Sequence, residues 1–190
     1  MVKRDGGTAV RYAAGHAEKP LSFRNPNGIK MTKSAASAAA AQHDDSLMRE
    51  LIALEPTSGY QELMGYRLVE WREGYAVLEL DIGPQHLNRA GVLHGGVPAS
   101  LIDTISGFCG CYCPIPGQVR RCVTLSLTTQ YLGQASKGTL RTTARVTGGG
   151  RKIFFVAAEV TAEDGTLVAT GTGTFRYRAG SEDPNGVPRE

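Results

Sequence analysis

One segment of this chain has the apolar spacing of a long helix, and the segments on both sides of it have the spacing of strands. Between Val97 and Tyr112, apolar side chains recur at intervals of four, three and four residues, which places them on one face of an α-helix. Pro98 fits the first helical turn, where its missing N–H costs little. We therefore predict one central helix over this segment. Its apolar face is formed by Leu101, Ile105, Phe108 and Tyr112.

The remaining regular pattern is the alternation of apolar and polar residues that is typical of strands. Two such runs precede the helix and four follow it: Tyr66 to Trp71, Tyr75 to Ile82, Cys122 to Tyr131, Leu140 to Thr147, Ile153 to Ala162 and Leu167 to Tyr177. This order predicts an α+β fold in which an antiparallel sheet of about six strands wraps around one long central helix. Such a sheet leaves one flank of the helix uncovered, and a symmetric dimer is the usual way to cover it.

The 190 residues are enough for one sizeable core, and we expect one folded domain over residues 44–178. At its start, Asp44 or Asp45 can cap a short helix that runs through Leu54, before Pro56. Residues 1–43 show no sustained period and include the low-complexity run SAASAAAA, so we predict a disordered extension there. We also predict a disordered tail over residues 179–190.

The net charge of +3 is unevenly distributed along the chain. Residues 1–42 hold seven Lys/Arg against two acidic residues, whereas residues 43–190 hold 14 against 16. A nucleic-acid site needs basic residues clustered on a folded face, so we expect no nucleic-acid partner. No apolar run approaches the roughly 20 residues that cross a bilayer, and the first 20 residues lack the apolar core of a secretory signal. We expect a cytoplasmic protein with no membrane partner.

Four cysteines raise the alternative of a thiolate metal cluster. Cys109, Cys111 and Cys113 alternate, and Cys122 follows nine residues later. Residues two apart on a helix point about 200° from each other, so this spacing gathers metal ligands poorly, and the chain has no C-x-x-C pair. We expect buried free thiols in a reducing compartment, and neither a metal nor another cofactor.

The segment before the helix predicts an oxyanion hole. The run His94-Gly95-Gly96 leads directly into the helix, so the N–H groups of Gly95, Gly96 and Val97 have no carbonyl four residues back to bond. Glycines let a substrate oxygen approach, and the helix dipole favours the negative charge that builds on a carbonyl oxygen under attack. His86 lies farther upstream, so His94 is the better candidate histidine. The alternative is an ordinary glycine-rich loop that caps a helix.

A carboxylate in the middle of the predicted helix supports a catalytic interpretation. Asp103 lies in an apolar run, where an unpaired charge is costly. A carboxylate in a groove beside an oxyanion hole can attack an acyl group or activate water. The alternative is a structural Asp bonded to a hydroxyl such as that of Thr104. The groove is predicted from small residues on the same helix face, which are Ser106, Gly107 and Gly110.

Gly95 and Asp103 are too far apart to serve one carbonyl from the same chain. They are separated by eight residues, which is about 12 Å along a helix. Two antiparallel helices across a dimer axis would bring Gly95 of one chain near Asp103 of the other. We therefore predict that the site is shared between subunits and that a monomer is inactive.

The segment from Asn88 to Asp103 resembles the hotdog-fold acyl-CoA thioesterases, specifically the phenylacetate-pathway-like (PaaI-type) branch. The pattern of that family is N-x(5)-H-G-G-x(6,7)-D/E, and this chain has Asn88, His94-Gly95-Gly96 and Asp103 at those positions. The similarity covers about residues 46–177 and includes GRKIFFVAAEV and EDGTLVATGTGTF. It implies a hotdog fold, with one sheet curled around one long helix, paired into homodimers and often into homotetramers.

The resemblance also implies roles for individual residues. The Gly95 N–H would polarise the thioester carbonyl, and Asp103 would attack it or activate water. Asn88 and His94 would orient the thioester and the loop. Thr124 is similar to a hydroxyl position that in some relatives holds the water or the carboxylate.

Further residues are expected to contact the substrate away from the reacting carbon, namely Gly96, Gly107, Arg151 and Lys152. The resemblance implies basic residues near the CoA phosphates. Arg151 and Lys152 are candidates for this role, and so are Arg120 and Arg121. For either pair, the alternative is a solvated surface charge.

Together these features predict a thioesterase that hydrolyses acyl-CoA to the free acid and CoA. Two alternatives on the same scaffold stay open. One is a noncatalytic acyl-CoA-binding or regulatory module, which would not need Asp103. The other is a dehydratase or hydratase, whose chemistry acts on the acyl α and β carbons. The presence of Asp103 favours the hydrolase.

Overall fold

The structure is a computed structural model that describes residues 22–24, 30–32 and 45–189. The chain divides into two units, Met1–His43 and Asp44–Glu190. In the first unit, strands β1 (Ser22–Arg24) and β2 (Lys30–Thr32) pair antiparallel. The rest of the segment predicted to be a disordered extension lies outside the described residues.

The second unit combines one long helix with a six-stranded antiparallel sheet. In chain order its elements are α1 (residues 45–54), α2 (Gly59–Met64), β3 (Tyr66–Arg72), β4 (Tyr75–Asp81), a 3₁₀ turn (Pro84–His86), α3 (Gly96–Gly110), β5 (Gln118–Val119), β6 (Cys122–Tyr131), β7 (Thr139–Gly149), β8 (Ile153–Ala162), β9 (Leu167–Tyr177) and β10 (Val187–Pro188). The large sheet has the order β3-β4-β7-β8-β9-β6. The predicted α+β fold is confirmed, with α3 as its central helix.

Helix α3 begins and ends earlier than the predicted segment Val97 to Tyr112. At the end of α3, the N–H of Cys111 donates to the carbonyls of Gly107 and Phe108, and these hydrogen bonds close the final turn. The buried face of α3 is centred on Leu101, Ile102 and Ile105, none of which is exposed. Phe108 and Tyr112 are only half-buried, and both pack edge-on against Trp71 of β3.

Two glycines let α3 lie close to the sheet. A Cβ atom on Gly171 of β9 would lie 2.8 Å from Cγ2 of Ile102, and a Cβ atom on Gly110 of α3 would lie 2.0 Å from Cε2 of Phe154. Carbon atoms in contact are normally about 3.5–4.0 Å apart. The absence of side chains at these two positions therefore sets the height of the helix above the sheet.

Helix α2 was not predicted from the sequence. Its signals are local: Ser58 accepts a hydrogen bond from the N–H of Gln61, and Gly65 ends the helix with a φ of 72°. The hydroxyl groups of Tyr60 and Ser100 lie 2.5 Å apart and attach α2 to the first turns of α3. The helix therefore fixes the chain beside the start of α3. In the described residues no helix has the length and apolar character needed to cross a bilayer.

The C-terminal segment differs from the predicted disordered tail. Strand β10 pairs with β5, the Arg120 guanidinium donates to the Ser181 carbonyl at 3.0 Å, and the Arg189 guanidinium bonds the Glu55 carboxylate. Ser181 is buried. The prediction was wrong because these contacts join residues far apart in the sequence, which periodicity does not report.

A substitution in α3 tests the close packing against the sheet. Gly110→Ala should destabilise the fold by about 1–3 kcal/mol, as overpacking of a filled core does, because the new methyl group collides with Phe154. Gly107→Ala is the matched control on the same helix, since its Cβ would lie 3.7 Å from the Cys122 sulfur, an ordinary contact. Thermal unfolding of both variants measures the difference. A Gly110→Ala variant as stable as Gly107→Ala would contradict this packing.

Candidate active site

Asp103 and Thr124 meet where the central helix crosses the edge strand of the sheet. The Thr124 hydroxyl donates a hydrogen bond to Oδ1 of Asp103 at 2.8 Å. Asp103 is half-buried, and its Oδ2 has no hydrogen bond or ion pair within the described residues. The structural alternative, a bond to a neighbouring hydroxyl such as that of Thr104, is met for this oxygen by Thr124 rather than by Thr104. The carboxylate is thus held in place by one oxygen and keeps the other available for chemistry.

A β-bulge places Thr124 at this position. Along β6 the pairing with β9 runs regularly except between Thr124 and Ser126, which face Phe175 and Thr174. Leu125 is the extra residue, and it is half exposed. A bulge re-aims neighbouring side chains, and bulges are frequent beside active sites. Here it coincides with the one strand residue that bonds the helix carboxylate.

The start of α3 leaves fewer free amides than the sequence predicts. The Gly96 N–H donates to Nδ1 of His94 at 3.0 Å, and the Val97 N–H donates to the His94 carbonyl at 2.9 Å. The prediction of three free N–H groups was wrong in this respect, because His94 serves as the cap that the glycines lack. Within residues 45–189 the Gly95 N–H makes no hydrogen bond, so Gly95 is the remaining donor.

The loop before α3 is shaped by Asn88 and by His86. The Asn88 side-chain oxygen accepts the N–H of Ala90 at 2.8 Å and that of Val92 at 3.4 Å, which closes the turn. His86 is buried, and its Nδ1 accepts the Gly83 N–H. Its Nε2 therefore carries the hydrogen and donates to a backbone carbonyl at 2.9 Å. His86 is a structural residue, whereas His94 is exposed at the helix start.

Tyr131 is a neighbour of this site that the sequence analysis did not select. A Cβ atom on Gly95 would lie 3.4 Å from Cε1 of the Tyr131 ring. Tyr131 is the last residue of β6, and 58% of it is exposed. An exposed aromatic residue at the end of an edge strand was the available signal. The two ends of β6 therefore mark the two parts of the site, Thr124 beside Asp103 and Tyr131 beside Gly95.

A cavity of about 380 Å³ opens beside α3 at Gly107, one helical turn beyond Asp103. The helix contributes Thr104 and Gly107, which follow Asp103 by one and four residues, and the sheet contributes Trp71 and Cys122. The predicted groove along the small residues of α3 is thus present at Gly107. Ser106 and Gly110 are instead buried against the core.

The two candidate basic pairs lie in different places. Arg120 and Arg121 line the cavity beside α3. Arg151 and Lys152 are exposed in the turn between β7 and β8, and Lys152 borders a separate surface depression. The structure therefore brings the first pair, and not the second, to the cavity beside α3.

The four cysteines are free thiols, three of them buried and Cys122 partly exposed. Burial raises the pKa of Cys109 to about 12. The pKa of Cys122 is lowered, mainly because Cys111 shares a hydrogen bond with it, and the guanidinium groups of Arg178 and Arg120 act in the same direction. The same hydrogen bond raises the pKa of Cys111. Across the described residues, no cluster of His, Cys, Asp and Glu is arranged to hold a metal ion.

Comparison with known proteins places this architecture in a family. A sequence profile described as the thioesterase superfamily matches residues 90–169. Human acyl-coenzyme A thioesterase 13 is 30% identical over 131 residues, which are 67% of this chain and 91% of that protein. The chain therefore belongs to the thioesterase superfamily, and it is a hotdog-fold thioesterase.

Solved structures agree with this assignment. The conserved protein PA5202 from Pseudomonas aeruginosa is 33% identical with a TM-score of 0.59, and the match covers 68% of this chain and 98% of that one. The PaaI protein from the phenylacetic acid degradation operon of E. coli has a TM-score of 0.58 over 74% of this chain and 95% of its own. Its 21% identity supports the fold alone.

Thiol labelling tests the electrostatics beside Asp103. Cys122 should react with iodoacetamide faster than Cys109, because the thiolate is the nucleophile and the pKa of Cys122 is lowered while that of Cys109 is raised. Trypsin cleaves after Arg121 and so separates Cys122 from the other three cysteines, which makes the two rates measurable by mass spectrometry. Equal rates in the folded protein would contradict the structure, and denatured protein provides the reference.

Proposed function

We propose that this thioesterase hydrolyses acyl-CoA thioesters to the free acid and CoA. The carrying observation is the half-buried Asp103 carboxylate, which Thr124 holds by one oxygen beside a cavity of acyl size. The relationship to acyl-coenzyme A thioesterase 13 supports the choice of CoA thioesters as the substrate class.

In the proposed reaction the thioester oxygen accepts a hydrogen bond from the Gly95 N–H at the start of α3. This donor stabilises the negative charge that develops when the carbonyl carbon is attacked. Asp103 either attacks that carbon itself or removes a proton from the attacking water. The tetrahedral intermediate then collapses and expels CoA as the thiolate. When water is the nucleophile this step gives the free acid, and when Asp103 is the nucleophile it gives an anhydride, which water then hydrolyses to the free acid and the restored carboxylate. His94 and Asn88 keep the Gly95 loop in position through their bonds to backbone N–H groups.

We further propose that two subunits build each site. Strand β6 is an edge of the sheet, and it exposes Leu125 and Tyr131 by 50% and 58%. A long apolar edge strand with unpaired N–H and C=O groups favours pairing with another strand. Pairing with β6 of a second copy of this chain would cover the exposed side chains and bond the unpaired N–H and C=O groups. We also propose that two such dimers form a homotetramer. The proposed location is the cytoplasm, because the four free thiols stay reduced there.

The register of such a dimer follows from the positions of the two half-sites on β6. If β6 pairs antiparallel with its own copy about a point between Leu127 and Thr128, Thr124 of one chain faces Tyr131 of the partner. Since Thr124 bonds Asp103 and Tyr131 contacts Gly95, this register brings Asp103 of one chain toward the partner's Gly95. A two-fold axis creates two identical sites in this way.

The role of the carboxylate is tested by Asp103→Asn, which keeps its size and its hydrogen bond to Thr124. The variant should bind acyl-CoA while its kcat falls by about 10²- to 10⁴-fold, the usual contribution of a general base, or by more for a nucleophile. Release of the CoA thiol from a panel of acyl-CoAs measures turnover, and calorimetry measures binding. Undiminished turnover would assign Asp103 to structure. An acyl-CoA that is bound but never hydrolysed by the wild type would favour a binding module.

A mixed dimer tests the shared site. Asp103→Ala chains and Gly95→Pro chains, each with its own affinity tag, are coexpressed, and the heterodimers are isolated by two purification steps. Proline removes the N–H and fits the φ of −58° at this position. Both parent homodimers should be inactive, whereas the heterodimer should regain about half of the wild-type activity, because one of its two sites is intact. A heterodimer as inactive as its parents would place both groups in one chain.

A further inference from the structure

The cavity beside α3 has two chemically different kinds of lining. Part of its wall is apolar and is formed by Gly107, Trp71 and Phe108. Three arginines, Arg120, Arg121 and Arg178, also border it. An acyl chain in this cavity therefore has both apolar surface and positive charge within reach.

The three arginines are not neutralised by the acidic residues of the cavity. Glu55 is the carboxylate among the lining residues, and it is already paired with Arg189. Arg120 donates to two backbone carbonyls, those of Ser181 and Tyr112, which use its donors but leave its charge uncompensated.

Arg121 and Arg178 are held side by side and are free to bind a ligand. The Arg178 N–H donates to the Arg121 carbonyl at 2.8 Å. Neither guanidinium forms an ion pair or a hydrogen bond within residues 45–189, and both side chains remain exposed. The cavity therefore carries a net positive charge with two unused guanidinium groups.

The Cys122 thiol connects the two parts of the cavity. It lies 3.7 Å from a Cβ atom placed on Gly107, and its pKa responds both to the Asp103 carboxylate, which raises it, and to the Arg178 guanidinium, which lowers it. The reacting carboxylate and the arginines thus lie within electrostatic range of one sulfur atom.

We infer that the preferred acyl group carries a second carboxylate at its far end, so that the substrates are CoA thioesters of short dicarboxylic acids. The thioester is held at Asp103, the methylene groups lie along Gly107, Trp71 and Phe108, and the distal carboxylate is bound by Arg121 and Arg178. Arginine is suited to this because its planar donors match a carboxylate. The inference rests on the proposed hydrolysis of acyl-CoA and specifies its substrate class.

The CoA phosphates are a less suitable partner for the same arginines. The pantetheine arm separates those phosphates from the thioester by many bonds. Arg121 is only three residues from Thr124 along the chain, about 10 Å if fully extended, and it adjoins Cys122. The arginines therefore lie at the distance of the acyl group and too near for the phosphates.

Matched acyl-CoA pairs test this inference. Glutaryl-CoA and adipyl-CoA are compared with pentanoyl-CoA and hexanoyl-CoA, which have the same number of carbons and lack the distal carboxylate. The wild type should show a higher kcat/KM for each dicarboxylic member. Arg121→Gln and Arg178→Gln should each reduce that preference by about tenfold, as for loss of one charge-assisted hydrogen bond. Hydrolysis of the monocarboxylic members should change little.

Arg176→Gln is the control, since Arg176 is an exposed arginine of β9 that does not line the cavity, although it borders a neighbouring depression together with Arg178. It should leave the preference unchanged, and added salt should weaken the preference in the wild type. If the Arg121 or Arg178 variant lost kcat/KM equally for both members of a pair, the arginine would bind the CoA part of the substrate. That result would overturn the inference. A wild-type preference for the monocarboxylic members would also overturn it. Absence of thiol release from every acyl-CoA is a separate result, which would refute the hydrolase itself.

Discussion

The close contact between α3 and the sheet determines where the proposed catalytic groups lie. Gly171 of β9 lets Ile102 approach the strand backbone, and Gly110 makes room for the Phe154 ring. These contacts fix the height of the helix near its middle and at its end, and Leu101 and Ile105 fix its rotation because they are fully buried. Asp103 follows Ile102 directly, so the same contacts direct it to the edge of the sheet and leave it half-buried.

At that edge, one irregularity of the sheet supplies the partner of the carboxylate. The bulge at Leu125 interrupts the pairing of β6 with β9 beside Thr124, whose hydroxyl reaches Asp103. The Thr124 hydroxyl gives this half-buried carboxylate one hydrogen bond, and the other oxygen is left without a partner in residues 45–189. The bulge therefore positions the side chain of the sheet that anchors the proposed catalytic carboxylate.

The sequence predicted the elements that depend on local period and missed those that depend on distant contacts. The bounds of β6, β8 and β9 agree with the structure at both ends, because alternation is a property of each strand alone. The pairing of Asp103 with Thr124 was available only through family resemblance, since 21 positions separate them. The hydrogen bonds from the Gly96 and Val97 N–H groups to His94 could not be predicted from the glycine run. They depend on the conformation of the preceding loop.

The proposed catalytic residues and most of the cavity lining come from the same part of the chain. Gly95, Asp103 and Thr124 all lie within residues 90–169, the part that matches the thioesterase superfamily. Trp71 and Arg178, on opposite sides of that segment, complete the cavity. The C-terminal segment holds its wall in place, because Arg120 stacks on the Tyr177 ring at 4.4 Å while it bonds the carbonyl of Ser181. Changes at Trp71 or Arg178 in the flanking segments can therefore reshape the cavity without replacing the proposed catalytic carboxylate or amide.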